Sequence, residues 1–167
     1  MTLTDGFQPE GVTKMFQDSV FMMPHLGLLS TVYPEAAWSV FDKDCLIRLG
    51  TVIAPSGKID EGKRGIDLTL DMPDGTTVNE QLRGGEIKKI SLPGGQKAKA
   101  LIKPHGALDV GAGEGKTLET TIDGGIVGIV IDVRGRPIRL PEEEQERKEK
   151  LIGWYKSLEL YPTFLFE

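Results

Sequence analysis

The chain has 167 residues, a length that suits one domain with its own hydrophobic core. Its net charge of −5 and its lack of a long basic run argue against a general role in binding nucleic acid or an anionic membrane. Cys45 is the single cysteine, which excludes an intrachain disulfide and a cysteine-based zinc site. The N-terminus is polar and lacks the apolar core of a signal peptide, so a cytoplasmic protein is expected.

Residues 1–45 are predicted to form a helical and irregular segment. Residues 1–20 are polar, and residues 21–33 are apolar but interrupted by Pro24 and Gly27. Pro34 stands where the first turn of a helix accepts a proline, so a short helix is predicted to begin there.

Residues 46–139 are predicted to form a β-domain of many short strands. The 21 glycines and 10 prolines place turn signals between apolar and alternating stretches. The alternation of GIDLTLDM, residues 65–72, puts Ile66, Leu68 and Leu70 on one face of a strand. The run IVGIVIDV, residues 126–133, is nearly all apolar and predicts a strand buried on both faces. Strands at this spacing indicate a small barrel or a sandwich, within a chain that is α+β and mainly β.

Residues 140–167 are predicted to be a helix followed by an apolar tail. Residues 141–144, PEEE, open the helix with carboxylates where the helix dipole favours them. An apolar stripe at helical spacing either docks on the β-domain of the same chain or binds a partner. The tail either adds to a partner surface or folds back over residues 21–33. The candidate partner contacts are Trp154, Tyr155, Tyr161, Phe164 and Phe166.

The stretch DVGAGEGKTLE, residues 109–119, ends in Gly-Lys-Thr like a phosphate-binding P-loop. A P-loop needs a glycine five positions before Gly115, where this chain has Val110. The residues after Thr117 alternate like a strand, whereas a P-loop leads into a helix. We therefore predict a β-turn connection and no nucleotide site.

Two similar turns are the remaining candidate for a ligand site. The segments LDVG, residues 108–111, and IDVR, residues 131–134, each place an aspartate between a strand end and a turn that its side chain can cap. The candidate site residues are Asp109, Gly111, Gly113, Asp132, Arg134 and Arg136. No catalytic residue is identified, and neither histidine belongs to a pair at metal-ligand spacing, so no metal site is expected.

Several stretches, taken in order, resemble the C-terminal part of the glutamate (methylaspartate) mutase accessory family, called GlmL or MutL and distinct from mismatch repair. The matching stretches span nearly the whole chain: QPEGVT at 8–13, PHLG at 24–27, PEAA at 34–37, LGTVIAP at 49–55, LPGGQ at 92–96, DVGAG at 109–113, GGIVG at 124–128 and DVRGRP at 132–137.

The resemblance implies a non-catalytic accessory domain or small subunit. Members of this family carry an ATPase region like that of sugar kinases and Hsp70, and they are linked to the reactivation of adenosylcobalamin-dependent mutases. None of that region's phosphate-binding motifs has a counterpart in this sequence, so ATP and adenosylcobalamin are implied only for partners. The expected partners are a larger ATPase-type chain, a cobalamin-dependent mutase or another enzyme complex, and residues 8–45 are then the junction to the ATPase. The competing hypothesis is a small-molecule-binding or catalytic barrel that uses the Asp109 and Asp132 turns.

Overall fold

In a computed structural model of the protein, which describes residues 8–159, eight strands form two four-stranded sheets. The strands are β1 (Gly11–Asp18), β2 (Leu46–Ala54), β3 (Arg64–Asp71), β4 (Thr77–Arg83), β5 (Ile87–Ile90), β6 (Lys97–Pro104), β7 (Leu118–Asp123) and β8 (Gly128–Asp132). The helices are α1 (Met23–Leu29), α2 (Pro34–Val40) and α3 (Glu144–Leu158), with a π-helical turn (Phe41–Cys45) after α2. The sheets do not close into a barrel, so the α+β, mainly β class is confirmed and its architecture is a sandwich.

The main core lies between the two sheets. Sheet 1 has the strand order β1-β2-β8-β5 and sheet 2 the order β4-β3-β6-β7. Ile53 and Ile129 of sheet 1 meet Ile66 and Ile102 of sheet 2, and none of the four has any exposed surface. The predicted inward face of β3 is confirmed, because Leu68 and Leu70 are buried in the same cluster with Ile66. Burial of this apolar surface is the main source of stability for the sandwich.

The N-terminal segment contributes a strand to sheet 1 that the sequence did not indicate. β1 pairs antiparallel with β2, from Gly11 opposite Ala54 to Asp18 opposite Leu46. The sheet therefore begins within residues 1–45, which were predicted to be helical and irregular. β1 is an edge strand of mixed burial, in which Val12 packs on the main core, so it lacks a clean alternation of polar and apolar residues. The predicted helix start at Pro34 is confirmed by α2.

The apolar run at residues 126–133 forms a central strand, but it begins later than predicted. β8 lies between β2 and β5, and Ile129 and Ile131 are fully buried. The prediction of burial is wrong for Ile126, whose residue surface is 75% exposed. The backbone amides of Ile126 and Val127 donate to Arg48 and Leu49, so this segment crosses the start of β2 before pairing begins.

Helix α3 packs on its own β-domain. Trp154 and Leu158 are buried against Ile87 of β5 and Ile138 in a second, smaller core cluster. The carboxylate of Glu143 caps the helix by accepting from the amide of Glu146 at 2.8 Å. Of the two interpretations of the apolar stripe, the structure shows docking within the chain. Within residues 8–159, no helix has both the length and the apolar character needed to cross a bilayer.

Candidate functional site

The turn after β8 places a buried carboxylate between two arginines. Asp132 is 5% exposed, and its Oδ1 and Oδ2 accept from Arg134 Nε at 2.8 Å and Arg134 Nη2 at 2.7 Å. Arg136 Nη2 donates to the same Oδ2 at 3.1 Å. Asp132 Oδ1 also accepts from the amide of Arg134, so it caps its own turn as predicted. Three of the predicted site residues are thus brought into one cluster.

The charge of Asp132 is stabilised by its neighbours. Burial alone would raise the pKa of Asp132, but the hydrogen bonds and charge of Arg134 and the charge of Arg136 outweigh it and hold the pKa below 3.8. Asp132 is therefore ionised at neutral pH. Within residues 8–159, the guanidinium groups of Arg134 and Arg136 share the carboxylate of Asp132.

Distant parts of the chain fix both guanidinium groups in place. The guanidinium carbon of Arg134 lies 4.6 Å from the ring centroid of Trp154, whose Nε1 donates to the carbonyl of Gly85 at 2.9 Å. Arg136 Nε donates to the carbonyl of Pro9 at 3.1 Å, and its Nη1 donates to the carbonyl of Gly135. From the sequence, Trp154 was predicted to be a partner contact and the arginines to belong to a ligand site. In the fold, the ring of Trp154 stacks on Arg134.

A cleft of about 330 Å³ opens beside this cluster. One wall consists of residues 58–61, which follow β2, and the other of residues 134–139. Lys150 of α3 also lines the cleft and pairs with Glu61 at 2.7 Å. The sequence gives no local signal for this cleft, because its lining comes from four separate stretches of the chain, the fourth being Gly85.

The Asp109 turn is a closed structural turn. Asp109 Oδ1 accepts from the amides of Gly111 at 2.7 Å and Gly113 at 2.8 Å, which hold the pKa of Asp109 below 3.8. The amide of Gly115 donates to the carbonyl of Leu108, and that of Lys116 to the carbonyl of Gly113. These four amides are thus engaged within the chain, whereas a phosphate cradle needs its amides directed at the ligand. The segment continues into β7, as predicted.

The two turns lie near each other but do not form one pocket. The segment around Pro9 lies between them, since Arg136 donates to Pro9 and a Cβ on Gly11 would lie 3.4 Å from the carbonyl oxygen of Val110. The cleft beside Arg134 and Arg136 has none of residues 109–113 in its lining. The single site predicted from both turns is therefore divided, with Asp132, Arg134 and Arg136 in one place and Asp109, Gly111 and Gly113 in another.

The predicted partner contacts of the C-terminal helix are only partly accessible. Trp154 is buried beneath α3, so it packs inside this chain and is not free to bind a partner. Tyr155 is half-buried. Tyr161, Phe164 and Phe166 lie outside the described residues.

An extensive apolar surface lies on the segment between β1 and β2, residues 19–45, which contains α1 and α2 and is called the α1–α2 hairpin. Phe21 is 83% exposed, Leu28 75% and Trp38 63%. Of the exposed large apolar residues in the described part of the chain, those within the hairpin segment are Val20, Phe21, Met23, Leu28, Leu29, Val32, Tyr33, Trp38 and Val40. Among the exposed large apolar residues between positions 8 and 159, only Leu101 lies away from this end of the sandwich, since Phe16 is near the end of β1 and the amide of Ile126 donates to Arg48 near the start of β2. The apolar composition of residues 21–33 was visible in the sequence, but its exposure was not.

The hairpin is held at its base and has little core of its own. Asp18 accepts from the amides of Met22 and Met23, and the amide of Ser19 donates to the carbonyl of Cys45 at 2.9 Å. The buried residues Leu26 and Ala37 belong to neither of the two core clusters. Phe21 has a φ of 55°, a left-handed conformation that is unusual for an aromatic residue.

The described part of the chain offers no grouping of three or more His, Cys, Asp or Glu side chains that could hold a metal ion. Comparison with known proteins finds no family model, no curated protein and no solved structure that matches this chain.

Proposed function

We propose that this chain is a non-catalytic accessory domain or small subunit that binds a larger ATPase-type chain through its α1–α2 hairpin. The observation that carries the proposal is the concentration of exposed apolar side chains on the hairpin, with Phe21, Leu28 and Trp38 among its most exposed large members. Soluble monomers rarely leave a large contiguous apolar patch in water, and such patches mark interaction sites. Aromatic side chains of this kind are the usual anchors of an interface.

The charge around the hairpin favours a protein partner over an anionic membrane. Residues 16–45 contain four carboxylates and one lysine. A phospholipid surface with negative headgroups would repel this segment. The fitting partner surface is apolar at its centre and basic at its rim, which gives electrostatic complementarity to these carboxylates.

The family resemblance supplies the kind of partner. It makes residues 8–45 the junction to an ATPase, and the hairpin lies within that stretch. The ATPase would drive reactivation of an adenosylcobalamin-dependent mutase, with ATP and cobalamin bound by the partners. A small subunit of a different ATP-dependent enzyme complex would use the same surface. Tyr161, Phe164 and Phe166 remain candidate contacts of the C-terminal tail.

The test compares two serine variants that each remove exposed apolar side chains. The variant Phe21→Ser/Leu28→Ser/Trp38→Ser removes the hairpin anchors, and the control Leu101→Ser removes an exposed apolar side chain of sheet 2, away from the hairpin. Each tagged chain is used for affinity capture from native extract, and bound chains are quantified by mass spectrometry. We expect an ATPase-type chain at near-equal amounts with the wild type and the control, and its loss with the hairpin variant.

Equal capture by both variants would mean that the interface lies elsewhere on the chain. Capture of no ATPase-type chain by the wild type, together with self-association by light scattering that the hairpin variant abolishes, would make the hairpin a homodimer contact. Binding to neutral or anionic vesicles that the hairpin variant abolishes would make it a membrane anchor. Each of these results would contradict the proposal.

A further inference from the structure

The cleft between residues 58–61 and residues 134–139 is unusual in its charge. Five cationic side chains and two carboxylates line it: Lys58, Arg134, Arg136, Arg139 and Lys150, with Asp60 and Glu61. The buried carboxylate of Asp132 neutralises the charge of one of these cations, and Glu61 forms an ion pair with Lys150. The local excess is positive, although the whole chain has a net charge of −5.

Two of the cations that line the cleft have no counterion within the part of the chain that the structure describes. Lys58 and Arg139 are exposed, and neither forms an ion pair with any residue between 8 and 159. Isolated basic side chains on a convex surface are ordinarily just solvated. Here both line a concave site whose volume, about 330 Å³, lies within the range of small-molecule pockets.

The buried arginines are held rigidly at the wall of the cleft. Their side chains are only 2% and 5% exposed, and their hydrogen bonds to Asp132 hold them in one orientation. Charges of this kind act more strongly than solvated ones because the surrounding dielectric is low and they need no reorganisation. Arg136, which shares Asp132 with Arg134, thus adds positive charge to the wall of the cleft, whereas Lys58 and Arg139 have the freedom to contact a ligand directly.

The chemistry of the walls defines the ligand class. Apart from two glycines, Ile59 and Pro137 are the only uncharged residues that line the cleft, so most of its lining residues carry a charge. Lysine and arginine bind the oxygens of phosphates and carboxylates through charge-assisted hydrogen bonds. Asp60 lies in the same wall as Lys58, so the ligand's negative groups would sit towards Arg139 and away from Asp60.

We propose that the cleft formed by Lys58, Arg134, Arg136 and Arg139 binds a small polyanion that carries a phosphate group or several carboxylates. This site does not depend on the hairpin interface. The hairpin variant Phe21→Ser/Leu28→Ser/Trp38→Ser is expected to keep full polyanion affinity, so failure of one proposal is distinguishable from failure of the other.

The experiment titrates the full chain with pyrophosphate and, separately, with citrate at low ionic strength, using calorimetry and amide chemical shifts. The variant Lys58→Gln/Arg139→Gln removes the direct contacts, and both residues are exposed, so the fold should be unaffected. Lys99→Gln/Lys103→Gln is the control, because it removes the same charge from exposed positions of sheet 2 outside the cleft. We expect the affinity to fall at least about tenfold in the cleft variant and to stay within about twofold in the control.

Shifts of the amides of Gly85, Gly135 and Arg139 on titration would locate the ligand in the cleft. Binding of pyrophosphate alone would assign a phosphate compound, and binding of citrate alone a polycarboxylate, and either supports the proposal. The proposal is overturned if the wild type binds neither probe at millimolar concentration. It is equally overturned if both double variants lose affinity alike, since that result would mean diffuse attraction to the whole surface.

Discussion

At the scale of single residues, Asp132 is the buried carboxylate that compensates the charge of two buried arginine side chains. It accepts hydrogen bonds from Arg134 and Arg136, and the aromatic ring of Trp154 covers the first of these arginines. Removing one partner of a buried ion pair is costly because the other charge is left uncompensated. The carboxylate is therefore needed for stability as well as for holding the arginines at the wall of the cleft.

We predict that Asp132→Asn lowers the free energy of unfolding by about 3–5 kcal/mol. Asp123→Asn is the matched control, since Asp123 pairs with Lys14 and Lys97 at the surface and its loss should cost less than about 1 kcal/mol. Urea denaturation followed by circular dichroism measures both. Equal costs for the two variants would show that the buried cluster is not held by Asp132.

The lowered pKa of Asp132 also predicts a pH dependence. The pKa lies below 3.8 in the folded protein and at its ordinary value when unfolded, so the unfolded state takes up a proton first as the pH falls. The stabilisation by Asp132 is thus present above about pH 5 and is lost progressively towards and below pH 4. In urea melts between pH 7 and pH 3, the difference in unfolding free energy between wild type and Asp132→Asn should shrink. A difference that stays constant with pH would contradict this assignment.

The local hydrogen bonds of this site could be predicted from the sequence, but its contacts with distant parts of the chain could not. The capping roles of Asp109 and Asp132 followed from an aspartate two positions before a turn amide, a purely local relation. The contact of Arg136 with Pro9 joins residues 127 positions apart. Such a contact depends on the strand order of the sheets, which no local pattern determines.

At the scale of elements, strands with a regular alternation of polar and apolar residues were predictable from the sequence, but the first and last residues of buried strands were not. β3 and β6 alternate inward and outward residues along their length, and the strand predicted at residues 65–72 agrees with β3 to within one residue at each end. β8 is covered on both sides, so its apolar run has no alternation to mark where pairing starts. The pairing of β8 with β2 begins at Gly128. A Cβ atom added to Gly50 would lie only 1.9 Å from the carbonyl oxygen of Gly128, so β2 requires a glycine at position 50.

We predict that Ile129→Ala lowers the free energy of unfolding by about 2–5 kcal/mol, because it opens a cavity between the sheets. Ile126→Ala, three residues earlier in the same apolar run, should change it by less than about 0.5 kcal/mol because its side chain is already exposed. Reversible denaturant melts compare the two. A small effect of Ile129→Ala would show that β8 is peripheral to the core.

At the scale of the whole molecule, the hairpin is an appendage on a self-sufficient sandwich. Both core clusters are built without α1 and α2, and the amide of Ser19 already donates to Cys45 across the base of the hairpin. The apolar residues of the hairpin thus lie outside both core clusters. Because the hairpin is separate from the core clusters, its residues can be adapted to a partner without disrupting the packing of the sandwich.

We predict that the hairpin can be excised. Replacing residues 20–44 by Asn-Gly lets a two-residue turn join Ser19 to Cys45 and continue the β1–β2 pairing. The excised protein should unfold cooperatively with an unfolding free energy within about 1 kcal/mol of the wild type, while losing the partner. Thermal and urea melts check stability, and loss of a cooperative transition would show that the hairpin belongs to the core.

The parallel pairing of β2 with β8 has a consequence for the order in which the domain assembles. Gly50 pairs with Gly128, far along the chain, whereas β3 pairs with β4 through a short turn. Closing a long stretch of chain costs more entropy than closing a short one, so distant strands join late. During synthesis, sheet 2 is nearly complete before β8 leaves the ribosome, and β2 waits with one edge unpaired. Until residues 128–132 arrive, that open edge of β2 presents unpaired amides and carbonyls, which is the kind of edge through which unfinished sheets aggregate.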